Sequence, residues 1–181
     1  LYFCVAGDFF LAALSKIVIF VTMKETIETF NVNASFGLLV GRTTKCLAER
    51  LQRRFAENGV GISMSHWIIL AQLWHEDGLS QQEISVRSGV AKPNVTTFVD
   101  ALEKESYIVR VPDQIDRRVN RIFLTQKGKD LRPLAVAQAI AVYETAFNGV
   151  SEEARNTAMG VLQSVVANLQ KHDGSGACSC E

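Results

Sequence analysis

Between Ser106 and Thr125 the chain runs SYIVRVPDQIDRRVNRIFLT, two short stretches rich in β-branched and aromatic residues around a polar loop. Tyr107 to Val111 and Arg121 to Leu124 predict paired strands, with Pro112, Asp113 and Asn120 supplying turn chemistry between them. The hairpin gathers Arg117, Arg118 and Arg121 around Asp116. A planar guanidinium fork suits phosphate oxygens or a groove edge, and Asp116 is expected to fix one guanidinium while the others stay free. A charged hairpin tip by itself is usually a solvated surface, so its meaning depends on what precedes it.

Immediately upstream, Leu79-Ser80-Gln81-Gln82-Glu83-Ile84 matches a capping box. Ser80 accepts from the Glu83 amide, Glu83 reaches back to the Ser80 amide, and Leu79 staples onto Ile84. Gly89 ends this short helix, and Ala91-Lys92-Pro93-Asn94 begins another, where Pro93 is tolerated because a first-turn N–H has no helical partner. In that second helix Val95, Val99 and Leu102 share one face with Phe98 beside them, which leaves Asn94, Thr96 and Thr97 turned outward. The major groove admits a helix whose leading side chains are short and polar, with Lys92 and the helix end facing phosphate. On an isolated helix the same pattern would be an ordinary solvated face. Helix, tight turn, helix and arginine-tipped hairpin in succession form a winged helix-turn-helix.

The segment from about Phe36 to Leu169 resembles the MarR family of bacterial transcriptional regulators. The resemblance rests on the capping-box run, on VTTFVDALEK from Val95 to Lys104, and above all on DRRVNRIFLTQKG from Asp116 to Gly128. This last run carries the family's D-x-R-x-x-R wing motif as Asp116, Arg118 and Arg121, followed by its L-T-x-K-G helix start. The resemblance implies a mainly α fold with a small β wing, and a homodimer on pseudo-palindromic double-stranded DNA. The second helix would lie in the major groove and the wing against the neighbouring minor groove. Lys92, Asn94, Thr96 and Thr97 would then face bases or phosphates, Arg118 would enter or flank the minor groove, and Asp116 would orient it. Arg117 and Arg121 complete the expected DNA-binding set. Where the family usually has Lys-Gly after the reading helix, this chain has Glu105-Ser106, so a serine stands where glycine would permit a left-handed cap.

The flanking stretches are helical and apolar on one side. Phe36, Leu39, Val40, Leu47, Leu51 and Phe55 follow helical spacing up to Asn58-Gly59. Ser65 is the expected cap of a helix in which Trp67, Leu70, Ala71 and Trp74 share a buried face. A long helix is expected from a Thr125 cap past Pro133, through Val142, Tyr143, Ala146 and Phe147, and Asn148-Gly149 breaks it. Ser151 starts a last helix whose apolar face (Ala154, Ala158, Val161, Leu162, Val165, Val166, Leu169) is wider than a solvent-facing terminal helix should show, which implies a partner. The expected organisation is an apolar extension over 1–22, an N-terminal dimerisation region over 23–63, a DNA-binding lobe over 64–125, C-terminal dimerisation helices over 126–171 and a flexible tail over 172–181.

Net charge is zero and the pI near 7, so attraction to phosphate must come from local clusters rather than from the whole chain. The resemblance also implies a ligand-responsive repressor that binds a small aromatic or phenolic effector, for which Arg42, His66 and Trp67 are candidates as a cation, a titratable donor and a ring. A thiol-based redox regulator through Cys46 is an alternative, as is a winged-helix module that binds protein. A lone helical cysteine is more often a packed side chain. Cys178 and Cys180 form a single C-x-C without a second ligand pair, so neither zinc nor any other metal or cofactor is expected. His75-Glu76 is followed by Leu79 where a zinc protease needs its second histidine, and no phosphate loop or nucleophile elbow occurs. The expected chemistry is binding, not turnover. Lys16 interrupts the apolar run of the first segment and Asp8 precedes it, so stable membrane association is not expected, and a cytoplasmic location is expected because DNA lies there.

Overall fold

In a computed structural model, residues 35–172 are described; the apolar extension over 1–22 and the tail cysteines Cys178 and Cys180 lie outside them. The elements in chain order are α1 (Phe36–Glu57), α2 (Met64–His75), β1 (Leu79–Ser80), α3 (Gln81–Ser88), α4 (Lys92–Lys104), β2 (Ile108–Pro112), β3 (Asn120–Leu124), α5 (Gln126–Ala146) and α6 (Glu152–His172). Two compact units divide the chain, Leu1–Lys45 and Cys46–Glu181. Within the first, the opening turns of α1 expose Phe36, Leu38 and Leu39, and the Thr43 and Thr44 hydroxyls donate to the carbonyls of Leu39 and Val40.

The second unit holds the core. Leu51 and Phe55 from α1, Ile69, Leu70 and Leu73 from α2, Ile84 from α3, and Val95, Val99 and Leu102 from α4 are buried together with Ile108 and Ile122 of the sheet. These positions follow the helical and alternating spacings of the sequence. Phe55, Trp67 and Trp74 form a ring chain with centroid separations of 5.6 and 5.7 Å. The helix bearing both tryptophans starts earlier than expected. Its cap is Ser63, which has an extended backbone and accepts the His66 amide on Oγ at 3.2 Å, while Ser65 lies inside α2. The Gln52 amide fixes this entry by donating to the Ile62 carbonyl and accepting from the Met64 amide.

The sheet is antiparallel with order β1-β3-β2. Leu79 pairs with Ile122 and Ser80 with Arg121, while Ile108 to Pro112 pair with Leu124 back to Asn120. β1 is a strand the sequence does not announce, because two residues carry no period and their apolar member also belongs to the capping-box pattern. This short strand joins the start of α3 to the wing.

Ser106 adopts the left-handed conformation (φ 61°) that a glycine would occupy. Its N–H donates to the Glu103 carbonyl and the Tyr107 N–H donates to that of Leu102, the two bonds of a Schellman ending. The Ser106 carbonyl then accepts the Thr125 hydroxyl at 2.7 Å. Thr125 also caps α5 by accepting the Gly128 amide. Gly128 is required by close approach rather than by a turn, since a Cβ there would stand 2.2 Å from the Tyr107 carbonyl oxygen. Trp74 Nε1 donates to the Gly128 carbonyl at 2.9 Å, locking α2, β2 and α5 at one point.

α5 passes Pro133 without ending and buries Ala135, Gln138, Ala139 and Val142. Gln138 accepts from Arg54 Nε at 3.1 Å. Among the described residues of α6 none is buried, and Met159, Val161, Val165, Val166 and Leu169 on it are exposed. Gly128→Ala should destabilise the fold by about 1–3 kcal/mol in denaturant titration, because the added methyl meets fixed backbone. Ser106→Gly should stabilise it by up to about 1 kcal/mol, relieving a left-handed L-residue but adding freedom to the unfolded chain.

Candidate nucleic-acid interface

The helix-turn-helix is built as its sequence specifies. Ser80 Oγ accepts the Glu83 amide at 3.2 Å and Glu83 Oε2 accepts the Ser80 amide at 2.7 Å, closing the capping box. Gly89 ends α3 at φ 69°, and α4 opens with Pro93 in its first turn. Val95, Val99 and Leu102 are fully buried, so Lys92, Asn94 and Thr97 are presented to solvent. Thr96 is half-buried, and its hydroxyl lies 3.1 Å from Gln81 Oε1 and 3.2 Å from the Lys92 carbonyl. Thr97 donates to the Pro93 carbonyl at 3.2 Å and stays exposed.

In the hairpin the arginines divide by environment. Arg121 donates from Nε to Asp113 at 2.7 Å and from Nη1 to Glu83 at 2.8 Å. Arg110, on the opposite strand, is engaged by Asp100 and Glu103 of α4. These two cations are neutralised internally and hold the wing against the helices. Arg117 and Arg118 are exposed, and no hydrogen bond or ion pair among the described residues occupies their guanidinium groups. The positive potential of the interface therefore comes from fewer side chains than the arginine and lysine content suggests. Lys127 is also committed elsewhere, donating to the Glu105 carbonyl with its ammonium 4.1 Å from the centre of the Tyr107 ring.

The acidic partner of the guanidinium is Asp113, where the sequence pattern suggests Asp116. Asp116 sits too near the tip and bonds backbone instead, its Oδ1 accepting the Arg118 amide at 3.0 Å. Asp113 Oδ1 accepts the Ile115 and Asp116 amides, which leaves Oδ2 for Arg121. The Arg121 hydrogen bond, followed by the two backbone amides, brings the Asp113 pKa down from 3.8 to about 2. Glu83 is also lowered, first by the Ser80 amide, then by the Ser80 side chain, with Arg121 adding to them. Asp113 raises Arg121 in turn.

A notch between the start of the helix-turn-helix and the wing is lined by Gln81, Gln82, Lys92, Arg118 and Asn120. Its polar members include two free cations and three amides, a donor set matched to a phosphodiester. Gln81, Gln82 and Asn120 escaped the sequence reading, since Gln81 and Gln82 belong to a capping-box run and Asn120 to a turn, and only folding brings them beside Lys92 and Arg118.

The residues considered for an effector are not alike. Trp67 is half-buried and meets Phe55 in a tilted contact and Trp74 edge-on, so it belongs to the edge of the core. His66 is mostly buried, and its Nδ1 has no hydrogen-bond partner and lies 3.8 Å from Glu105 Oε2. Arg42 is exposed on α1 in the first unit, and Cys46 is a free, exposed thiol.

The MarR family model matches residues 62–119, which span α2, β1, α3, α4, β2 and the wing loop. This winged helix-turn-helix is of the MarR family. SarZ of Staphylococcus epidermidis, an HTH-type transcriptional regulator, is 25% identical over 111 residues, 61% of this chain and 74% of that protein. The solved transcriptional regulator PA3341 is 29% identical with a TM-score of 0.67, over 76% of this chain and 99% of that one. CouR, a transcriptional repressor solved bound to a 23-mer DNA duplex, is 21% identical with a TM-score of 0.67 over 78% of this chain and 99% of its own; its form from Rhodococcus jostii RHA1 is solved with p-coumaroyl-CoA. No helix among the described residues is long and apolar enough to cross a membrane.

The linkage between Asp113 and Arg121 carries a pH signature. A carboxylate whose folded pKa is depressed contributes stability that is complete above its unfolded value and is lost as pH falls through its folded value. Asp113→Asn should therefore be less stable than wild type at neutral pH, with a shallower loss between pH 3.8 and about 2. Parallel curves for the two proteins in acid would show that the linkage contributes nothing.

Proposed function

We propose that this MarR-family chain is a transcriptional regulator that binds double-stranded DNA sequence-specifically as a homodimer on a pseudo-palindromic operator, most simply as a ligand-responsive repressor. The observation that carries this reading is the notch. Lys92 at the start of the reading helix and Arg118 on the wing face one hollow, while Arg110 and Arg121 are internally paired. One backbone phosphate seated there would position Asn94 and Thr97 against base edges in the major groove and send the wing toward the adjoining minor groove. Thr96 supports this face through Gln81, and Asp116 shapes the loop that presents Arg117 and Arg118. Arg121 acts as the brace behind them.

The dimer reading rests on α6. Five exposed aliphatic or thioether side chains on a helix with no buried face constitute a surface that a single subunit leaves uncovered. A twofold protein also matches a twofold operator. The DNA-bound and p-coumaroyl-CoA-bound forms of CouR support a ligand-responsive repressor of this architecture. A small aromatic or phenolic effector suits the chain best near His66, whose unused Nδ1 is the polar atom left over in the α2 region. Trp67 would support that site from within the core. The relatives named above are transcriptional regulators, and the sequence carries no recognisable catalytic motif.

The test is a fluorescence titration of operator fragments selected from the source genome, repeated across a salt series. Phosphate binding gives a linear fall of log affinity with log salt, with slope set by the number of phosphates neutralised. Arg118→Ala should weaken binding by roughly tenfold or more and reduce the slope by about one for each subunit, with thermal stability unchanged. Unaltered affinity and slope at moderate salt would remove Arg118 from the interface, and a nearly salt-independent interaction would favour an apolar protein partner instead.

A further inference from the structure

Ile115 is the most exposed large hydrophobic residue among those described, at 98%. A single exposed aliphatic residue is ordinary on a protein surface. Two features set this one apart. The loop that carries it is pinned, with Asp113 Oδ1 accepting the amides of Ile115 at 2.8 Å and Asp116 at 3.0 Å, and the Asp116 carbonyl accepting the Val119 amide at 2.9 Å. The side chain is thus held out in water by a hydrogen-bonded tip that could have carried a polar residue at no cost to packing. It also precedes the two unpaired arginines, which line separate hollows: Arg117 with Gln114, and Arg118 with Lys92. Phosphates drawn to those hollows would bring a groove against the tip.

We propose that Ile115 enters the minor groove beneath the wing and selects A·T over G·C pairs there. The inference rests on the DNA-binding reading above and adds a specificity-determining residue to it. The floor of the minor groove shows only acceptors at A·T and T·A pairs, whereas guanine adds its N2 amino group as a protruding donor. An aliphatic side chain covers a smooth A·T floor and buries its own apolar surface against the sugars. Over a G·C pair it meets the amino group, excludes water from it and offers no acceptor, leaving a buried donor unpaired. Discrimination of about tenfold at one position in each half-site is the expected size for a single unfavourable base pair.

Inosine separates this mechanism from other sources of preference, because an I·C pair lacks the N2 amino group and presents the major groove of G·C. With the full-length protein and an operator fragment selected from the source genome, each base pair flanking the half-site is made A·T, G·C or I·C in turn. Wild type should lose about tenfold on G·C at one flanking position and recover on I·C. Ile115→Ala and Ile115→Ser should bind all three duplexes alike at that position with the wild-type salt slope, and the exposure of the residue means neither change disturbs the fold. Equal wild-type affinity for G·C and I·C at every flank would overturn the proposal. So would discrimination that survives in both variants, which would assign the preference to Arg118 or to groove shape. Wild type that binds no selected duplex would sink the DNA-binding reading itself, a result distinct from binding without discrimination.

Discussion

Arg121 joins the two halves of the reading head. Its guanidinium spans Asp113 at the base of the wing loop and Glu83 in the first turn of α3, and Glu83 simultaneously closes the capping box with Ser80. A charge-assisted fork with two acids is directional in a way apolar contact is not, so the angle between hairpin and helices is set at this point. Exposed ion pairs contribute little stability individually. The value of this one lies in geometry: the wing cannot swing without parting Arg121 from one of its acids. Arg110 repeats the arrangement on the other strand with Asp100 and Glu103, tying the wing to the reading helix itself.

Internal pairing also sorts the charges. A neutral chain cannot attract DNA as a whole, and three cations beside the reading helix and wing, Arg110, Arg121 and Lys127, have partners within the protein. Lys92, Arg117 and Arg118 are left to act outward. Because few charges act, their placement matters more than their number, and placement depends on the packed point where Trp74, Tyr107 and Gly128 meet. The glycine of the L-T-x-K-G run thus has a physical reason: the Tyr107 backbone, just before β2, approaches α5 too closely for any side chain. Ser106 shows the opposite case, where a residue without glycine's freedom accepts a left-handed backbone because two helix-ending bonds and Thr125 require it.

Much of this architecture was legible in the sequence wherever a local rule has a single outcome. The capping box at Ser80, the stop at Gly89, the Thr125 cap and the apolar faces of α2 and α4 depend on residues a few positions apart. What could not be seen depends on the folded chain. The pairing of Arg121 with Asp113 and Glu83 joins positions across the hairpin and across two elements, so spacing made Asp116 look like the acid. Ser63 caps α2 where Ser65 is expected, and the Gln52 side chain, from another helix, helps fix that earlier start. Gln81, Gln82 and Asn120 joined the interface only when folding set three segments around one hollow. The helical spacing of Trp67 and Trp74 marks both as core, and Trp67 does pack against Phe55 and Trp74 while staying half-buried.

The central claim is that one DNA phosphate is held jointly by Lys92 and Arg118. Uncharged methylphosphonate linkages placed one at a time along the operator measure this directly, compared among wild type, Lys92→Ala and Arg118→Ala. The account predicts one linkage in each half-site whose neutralisation weakens wild type markedly, yet changes neither variant by much, because each has already lost its hold on that group. Variants that lose sensitivity at different linkages, or that remain as sensitive as wild type throughout, would contradict a shared phosphate and separate the wing from the reading helix in function.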